Sequence, residues 1–251
     1  MLTRSHKTAY RHLNAPAFTL IELLVVIAIL ALLVSILLPG LHKAKDLAKM
    51  TLCATNQRGL LNATALYAND NQGRLPYAGR WWEYAQMRYV IYAPRDGHGY
   101  DPKVYGFVGS GLLTPTEYVE ANSPLFFCPM QQHPGHSFES TTNVTTESQM
   151  YPEDFSRYGL VKRTMGFLWR DFDETSGLDS PSVEKMGSLA VLADVFYAKD
   201  KVLQSHVSTV NVGYAGGSVV RRDININSVP NDVMPPAASK EAMLNIWEDY
   251  D

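Results

Sequence analysis

The chain has 251 residues, a net charge of −3 and a charged fraction of 19%. That balance excludes a general electrostatic attraction to nucleic acid, and no nucleic-acid partner is expected. The composition suits one modest, ordered, loop-rich core and excludes a disordered chain. No internal repeat marks a solenoid.

Residues 1–17 carry Arg4, Lys7 and Arg11 and no acid. From Phe18 to Leu38 the sequence FTLIELLVVIAILALLVSILL holds a single charge, Glu22. As a helix this stretch is about 31 Å long, matching a hydrocarbon core of ~30 Å. It lacks the polar stripe of a soluble core helix. An ordinary secretory signal is a poor reading, because Ala15-Pro16-Ala17 precedes the apolar run instead of following it. A plain signal anchor explains the hydropathy but not Glu22. A carboxylate in a membrane span is costly and calls for a partner. Cutting before Phe18 would create an α-amine four residues upstream. In an assembly that amine can meet Glu22 of a neighbouring copy and set the axial register, since a mismatch leaves a buried charge unpaired. The alternative is a Glu22 that snorkels to the headgroups.

Ala17-Phe18-Thr19-Leu20-Ile21-Glu22 resembles the type IV prepilin cleavage and methylation motif, with Ala17 where the family usually has Gly. Counted from Phe18, Glu22 is fifth and Pro39 twenty-second, the places where many pilins carry Glu and Pro. The resemblance implies that a prepilin peptidase/methyltransferase cuts between Ala17 and Phe18 and N-methylates Phe18. It also implies assembly, through Glu22 and Pro39, with other pilin-like subunits on inner-membrane machinery. The leader would then be cytoplasmic and the body periplasmic on a single-pass bacterial inner-membrane anchor. Basic residues lie on both sides of the span, so charge alone does not orient it. Export would make Cys53 and Cys128 one disulfide; two unrelated buried thiols are the alternative.

Further along, Pro39-Gly40 is expected to bend or locally melt the helix. A second, amphipathic half then presents Leu41, Ala44, Ala48, Leu52, Thr55, Gly59, Ala63 and Leu66 to a small sheet. The cluster Asn69-Asp70-Asn71-Gln72-Gly73 ends it. Trp81, Trp82, Tyr84, Tyr89 and Tyr92 suggest an aromatic core or interface, with sugar binding a minor alternative. Ser137–Met150 reads as a polar loop containing the sequon Asn143-Val144-Thr145. Strands are expected at Thr164–Trp169, Leu189–Phe196, His206–Val212 and Ser218–Ile224, the last two joined by a turn at Tyr214-Ala215-Gly216-Gly217. A short helix is expected over Glu241–Trp247. The fold class is α+β, a long N-terminal helix packed on a small antiparallel sheet. Its divisions are a leader at 1–17, a helix at 18–72 with its membrane span at 18–38, and a globular body at 73–251.

The stretches Cys53–Leu60, Tyr67–Gly73 and Phe127-Cys128-Pro129 resemble a subgroup of large bacterial pseudopilins. So does His206 followed by nine residues and Gly216-Gly217, where Gly216 replaces the family's Asp. This favours a subunit of a type II secretion pseudopilus; a type IV pilus subunit or a signal-anchored envelope enzyme or binding protein is the alternative. Cys128, His133 and His136, with Cys53, offer metal-ligand types, but their spacing fits no common zinc module, and no metal is expected. Asp194, Asp200 and His206 suggest a polar cluster, too few oxygens for calcium. No nucleophile motif, metalloprotease motif or phosphate loop is present. Neither a cofactor nor an enzymatic activity is expected.

Overall fold

In a computed structural model the chain is described for residues 19–76, 87–94, 105–107, 109–146, 150, 152–162, 164–170, 187–194, 202–206, 208–227 and 229. It divides into two compact units, Met1–Lys45 and Asp46–Asp251.

The first element, α1, is a single α-helix over Leu20–Asp70, with Pro39 inside it. Helical structure continues through Pro39-Gly40, so of the expected bend or local melting, the melting does not occur. Proline removes only its own bond to the carbonyl four residues back. The surrounding leucines and alanines propagate helix well enough to carry the remaining ladder. At the C-terminus Gln72 (φ 58°) adopts the left-handed conformation and Gly73 N–H donates to the Ala68 carbonyl at 2.7 Å. This is a Schellman closure, and Asn71 Nδ2 adds a bond of 2.8 Å to the Tyr67 carbonyl.

Within the second unit, a five-stranded antiparallel sheet is built from β1 (Met87–Val90), β4 (Thr164–Arg170), β5 (Ala190–Asp194), β6 (Thr209–Tyr214) and β7 (Val219–Asp223). Their order is β1-β4-β5-β6-β7. β2 (Tyr92–Pro94) and β3 (Tyr105–Phe107) form a separate antiparallel pair. A short helix, α2, spans Pro152–Tyr158. Every residue of β5 is buried, as an AVLAD run suits a strand covered on both faces. β7, by contrast, is an exposed edge carrying Arg221, Arg222 and Asp223, charges that discourage further strand pairing. The β6–β7 turn falls at Ala215–Gly217, where Gly217 N–H donates to the Tyr214 carbonyl at 2.8 Å and Gly217 has φ +87°.

The core joins α1 to the sheet. Cys53, Leu60, Leu61, Ala63 and Ala68 pack with Phe126, Phe127, Met165, Phe167, Val191 and Leu192. Gly213 of β6 permits the close approach: a Cβ there would lie 2.8 Å from Leu61 Cδ1. The buried face of α1 is therefore Cys53, Asn56, Gln57, Leu60, Leu61, Ala63, Thr64 and Ala68. This corrects the expected stripe: Ala63 belongs to it, while Leu41, Leu52 and Leu66 are exposed. Polar Asn56 and Gln57 hold buried positions because each has partners across the seam. Asn56 Nδ2 donates to the carbonyls of Phe127 (2.9 Å) and Pro124 (3.2 Å). A smaller core forms from Tyr92, Phe107, Met150 and Val161, with Tyr92 and Phe107 edge to face at 5.2 Å. Of the expected aromatic cluster, Trp81, Trp82 and Tyr84 lie outside the described residues, as does the segment Glu241–Trp247.

Candidate functional site

Two features stand out. The first is the start of α1. Ala17 and Phe18 lie outside the described residues. Thr19 is the first described residue, and its carbonyl accepts the Leu23 N–H at 3.3 Å. Glu22 Oε2 accepts from both Thr19 N–H and Thr19 Oγ1 at 2.8 Å, and Glu22 N–H donates back to Thr19 Oγ1 at 3.3 Å. That reciprocal pattern is a capping box, and it closes two otherwise open donors at the helix start. The spacing Thr19-x-x-Glu22 before an apolar run is its signature in the sequence. One carboxylate oxygen is thereby satisfied within the chain. From Leu20 to Leu38 the large apolar side chains are all exposed. The helix is long and apolar enough to cross a membrane.

The second feature is a buried cluster in the other unit. Cys53 on α1, Cys128 after the 3-10 turn Pro124–Phe126, Asp194 at the end of β5 and His206 before β6 converge. One ligand-type atom from each lies within 4.8 Å of the others, and none of the four residues is more than 5% exposed. Cys53 Sγ donates to Asp194 Oδ1 at 3.0 Å. His206 Nε2 lies 3.1 Å from Asp194 Oδ2 and 3.1 Å from Cys128 Sγ. Gln57 Nε2 donates to Asp194 Oδ1 at 3.0 Å and to the Asn211 carbonyl at 3.2 Å. Asn211 N–H donates to Asp194 Oδ2 at 2.6 Å.

Burial, and then the neighbouring Cys128 and Asp194, push the Cys53 thiol well above the usual range. Burial also works against a Cys128 thiolate, but the Cys53 hydrogen bond and the His206 imidazole outweigh it and hold Cys128 below the ordinary value. His206 is likewise disfavoured as a cation by burial, yet Asp194 and Cys128 push it up to about 9. The Cys128 shift downward and the His206 shift upward both run in the direction of a thiolate–imidazolium pair beside Asp194. The order of a Cys-His-Asp triad is nonetheless missing: both partners share one ring nitrogen, so the imidazole does not stand between nucleophile and orienting acid.

The sequence grouped the wrong histidines with the cysteines. His136 is buried with Nδ1 3.0 Å from the Met165 carbonyl, and His133 Nδ1 accepts the Gly135 N–H at 3.0 Å. Asp200 lies outside the described residues. Cys53 and Cys128 are close but stand as free thiols. At Gly216 a Cβ would sit 2.8 Å from the Gly187 carbonyl oxygen, so the aspartate of the resembling subgroup does not fit this turn. The sequon is also enclosed: Asn143 and Thr145 are both buried.

Residues 14–38 match the prokaryotic N-terminal methylation motif, with the capping box and the exposed apolar stretch inside the matched segment. No curated protein and no solved structure matches the chain. The N-terminal segment is a prokaryotic N-terminal methylation motif, consistent with a type IV prepilin-like family, carried on one long apolar helix that suits a single-pass membrane anchor.

Proposed function

We propose that the chain is a non-catalytic, pilin-like structural subunit, cut between Ala17 and Phe18, methylated on Phe18 and built into a type II secretion pseudopilus. The observation that carries this is the coincidence of the methylation motif with a helix start whose large apolar side chains are uncovered in the single chain. Before assembly, lipid covers those side chains and the body stays on the periplasmic side of the inner membrane. In the filament, neighbouring helices replace lipid, and close packing with buried polar pairing holds them together. Exposed Leu41, Leu47, Leu52 and Leu66 extend the apolar surface beyond the span. The secretion assignment over a surface pilus rests on the resemblance of Cys53–Leu60, Tyr67–Gly73 and Phe127–Pro129; long surface filaments containing this chain would reverse it.

The capping box makes a clean test of register setting by Glu22. Glutamine keeps an acceptor for Thr19 but no charge, whereas alanine removes both. Pairing with a neighbour's α-amine predicts that Glu22→Gln and Glu22→Ala both insert and are cut, yet both fail to enter filaments. If Glu22→Gln assembles as well as the unaltered chain, capping alone is the role of Glu22 and the pairing is wrong.

A further inference from the structure

We infer that Cys53, Cys128, Asp194 and His206 form a structural site for a tetrahedral divalent cation of the zinc type. The inference is independent of how the N-terminus is processed. Two sulfurs, one imidazole nitrogen and one carboxylate oxygen are brought within 4.8 Å of one another from four separate segments. Zinc binds sulfur at about 2.3 Å and nitrogen or oxygen at about 2.0–2.2 Å, which places tetrahedral ligand atoms roughly 3.3–3.8 Å apart. The spacing in the cluster runs from 3.0 Å to no more than 4.8 Å, so small side-chain shifts admit the ion.

The direction of His206 supports coordination over hydrogen bonding. One nitrogen, Nε2, faces both the Cys128 sulfur and the Asp194 oxygen. A single N–H serves two such acceptors poorly, whereas a cation at the common centre takes one electron pair from each group. A disulfide would use only the two sulfurs and gives no reason for the carboxylate and imidazole beside them.

The surroundings fit as well. Ligating carboxylates are themselves held by hydrogen bonds, and here Gln57 Nε2 and Asn211 N–H fix the two Asp194 oxygens. Among the described residues, Gln57 Oε1 and Asn211 Nδ2 are buried polar atoms without a partner, both on side chains bordering the cluster. Unsatisfied groups of this kind mark a polar site with more to bind than the chain alone supplies. Thiolates select zinc over calcium or magnesium. On binding, every proton held on Cys53 Sγ, Cys128 Sγ and His206 Nε2 leaves to solvent. Two thiolates, one carboxylate and a dication then sum to one negative charge, facing the Gln57 and Asn211 donors. All four positions are filled from the chain, which makes the site structural. It ties α1 to the loop before it reaches the sheet, and to β5 and the turn into β6.

The test uses the full chain, purified in detergent without chelator under conditions that keep thiols reduced, then loaded separately with Zn2+ and with Co2+. The expected results are about one zinc per chain by elemental mass spectrometry and thiols that resist alkylation until a chelator is added. The cobalt form should show strong tetrahedral bands and a sulfur-to-cobalt charge-transfer band. Cys128→Ser should weaken that band to about half, the double change Cys53→Ser with Cys128→Ser should remove it, and Gln57→Leu should weaken zinc binding at least ~10-fold while leaving the ligands in place. A folded, unaltered chain that takes up no zinc and shows no thiolate–cobalt band overturns the site. So does a native protein isolated as a Cys53–Cys128 disulfide, lighter by two hydrogens and resistant to alkylation with chelator present.

Discussion

Replacing Leu60 by alanine tests which face of α1 meets the body. Leu60 is 0% exposed and sits in the main core, whereas Leu52 and Leu66 are 50% and 58% exposed. Truncating a buried leucine costs about 2–5 kcal/mol, the transfer loss plus the cavity left behind. Substitutions at exposed positions stay within about 0.5 kcal/mol. For a body of this size each kcal/mol moves the midpoint by roughly 2–4 °C. Leu60→Ala should therefore lower Tm by roughly 4–20 °C, and Leu52→Ala or Leu66→Ala by less than about 2 °C. The assay is thermal unfolding of the full chain in detergent, followed by near-ultraviolet circular dichroism, because the long helix would dominate a backbone signal. Apolar periodicity alone makes the opposite forecast, with Leu52 and Leu66 inside. If those two variants lose as much as Leu60→Ala, the helix is rotated from the arrangement described and the seam is wrong.

Gly111→Ala should be strongly destabilising, because its Cβ would lie 2.1 Å from the Ile91 carbonyl oxygen and the backbone would have to move. Overpacking costs about 1–3 kcal/mol, so a melting point within a degree of the unaltered chain would contradict the contact. Asn56→Ala should cost about 1–3 kcal/mol by leaving the Pro124 and Phe127 carbonyls without their donor; denaturant unfolding measures it, and a neutral result would mean that solvent reaches both. In the metal-free, reduced chain, His206 rises from an ordinary 6.5 to about 9, with Asp194, Cys128, Cys53 and Arg221 around it. A raised folded-state value stabilises fully below about pH 6.5 and is lost as pH rises through about 9. The contribution is on the order of 3 kcal/mol. Stability that is flat or rising across that window would refute the ion pair.

Much of the fold is legible because it rests on local patterns. The apolar run, the charge at Glu22 and the turn at Tyr214–Gly217 each follow from neighbouring residues, and the strand centres fell within a few positions of β4 to β7. The packed face of α1 was harder to read. Asn56 and Gln57 are polar yet buried, and their partners at Pro124, Phe127, Asp194 and Asn211 are distant in sequence. A reading by hydropathy therefore rotates the helix. The cluster was invisible for the same reason: Cys53 and Asp194 are 141 residues apart, and only the pairing of β5 with β6 and the seam with α1 bring them together. Residue type points to Cys53 and Cys128, and nearness in sequence groups His133 and His136 with Cys128, in a spacing that fits no common zinc module. The capping box, by contrast, is a local signal, Thr19 and Glu22 being three residues apart.

The central claim is that the methylation motif is used. Mass spectrometry of the N-terminal peptide, from the protein in its native membrane, tests it most directly. The predicted result is a mature chain beginning at N-methylated Phe18 and ending the leader at Ala17. An intact leader would contradict prepilin processing and leave a signal-anchored protein; a start beyond Leu38 would mean release from the membrane and would contradict assembly through α1.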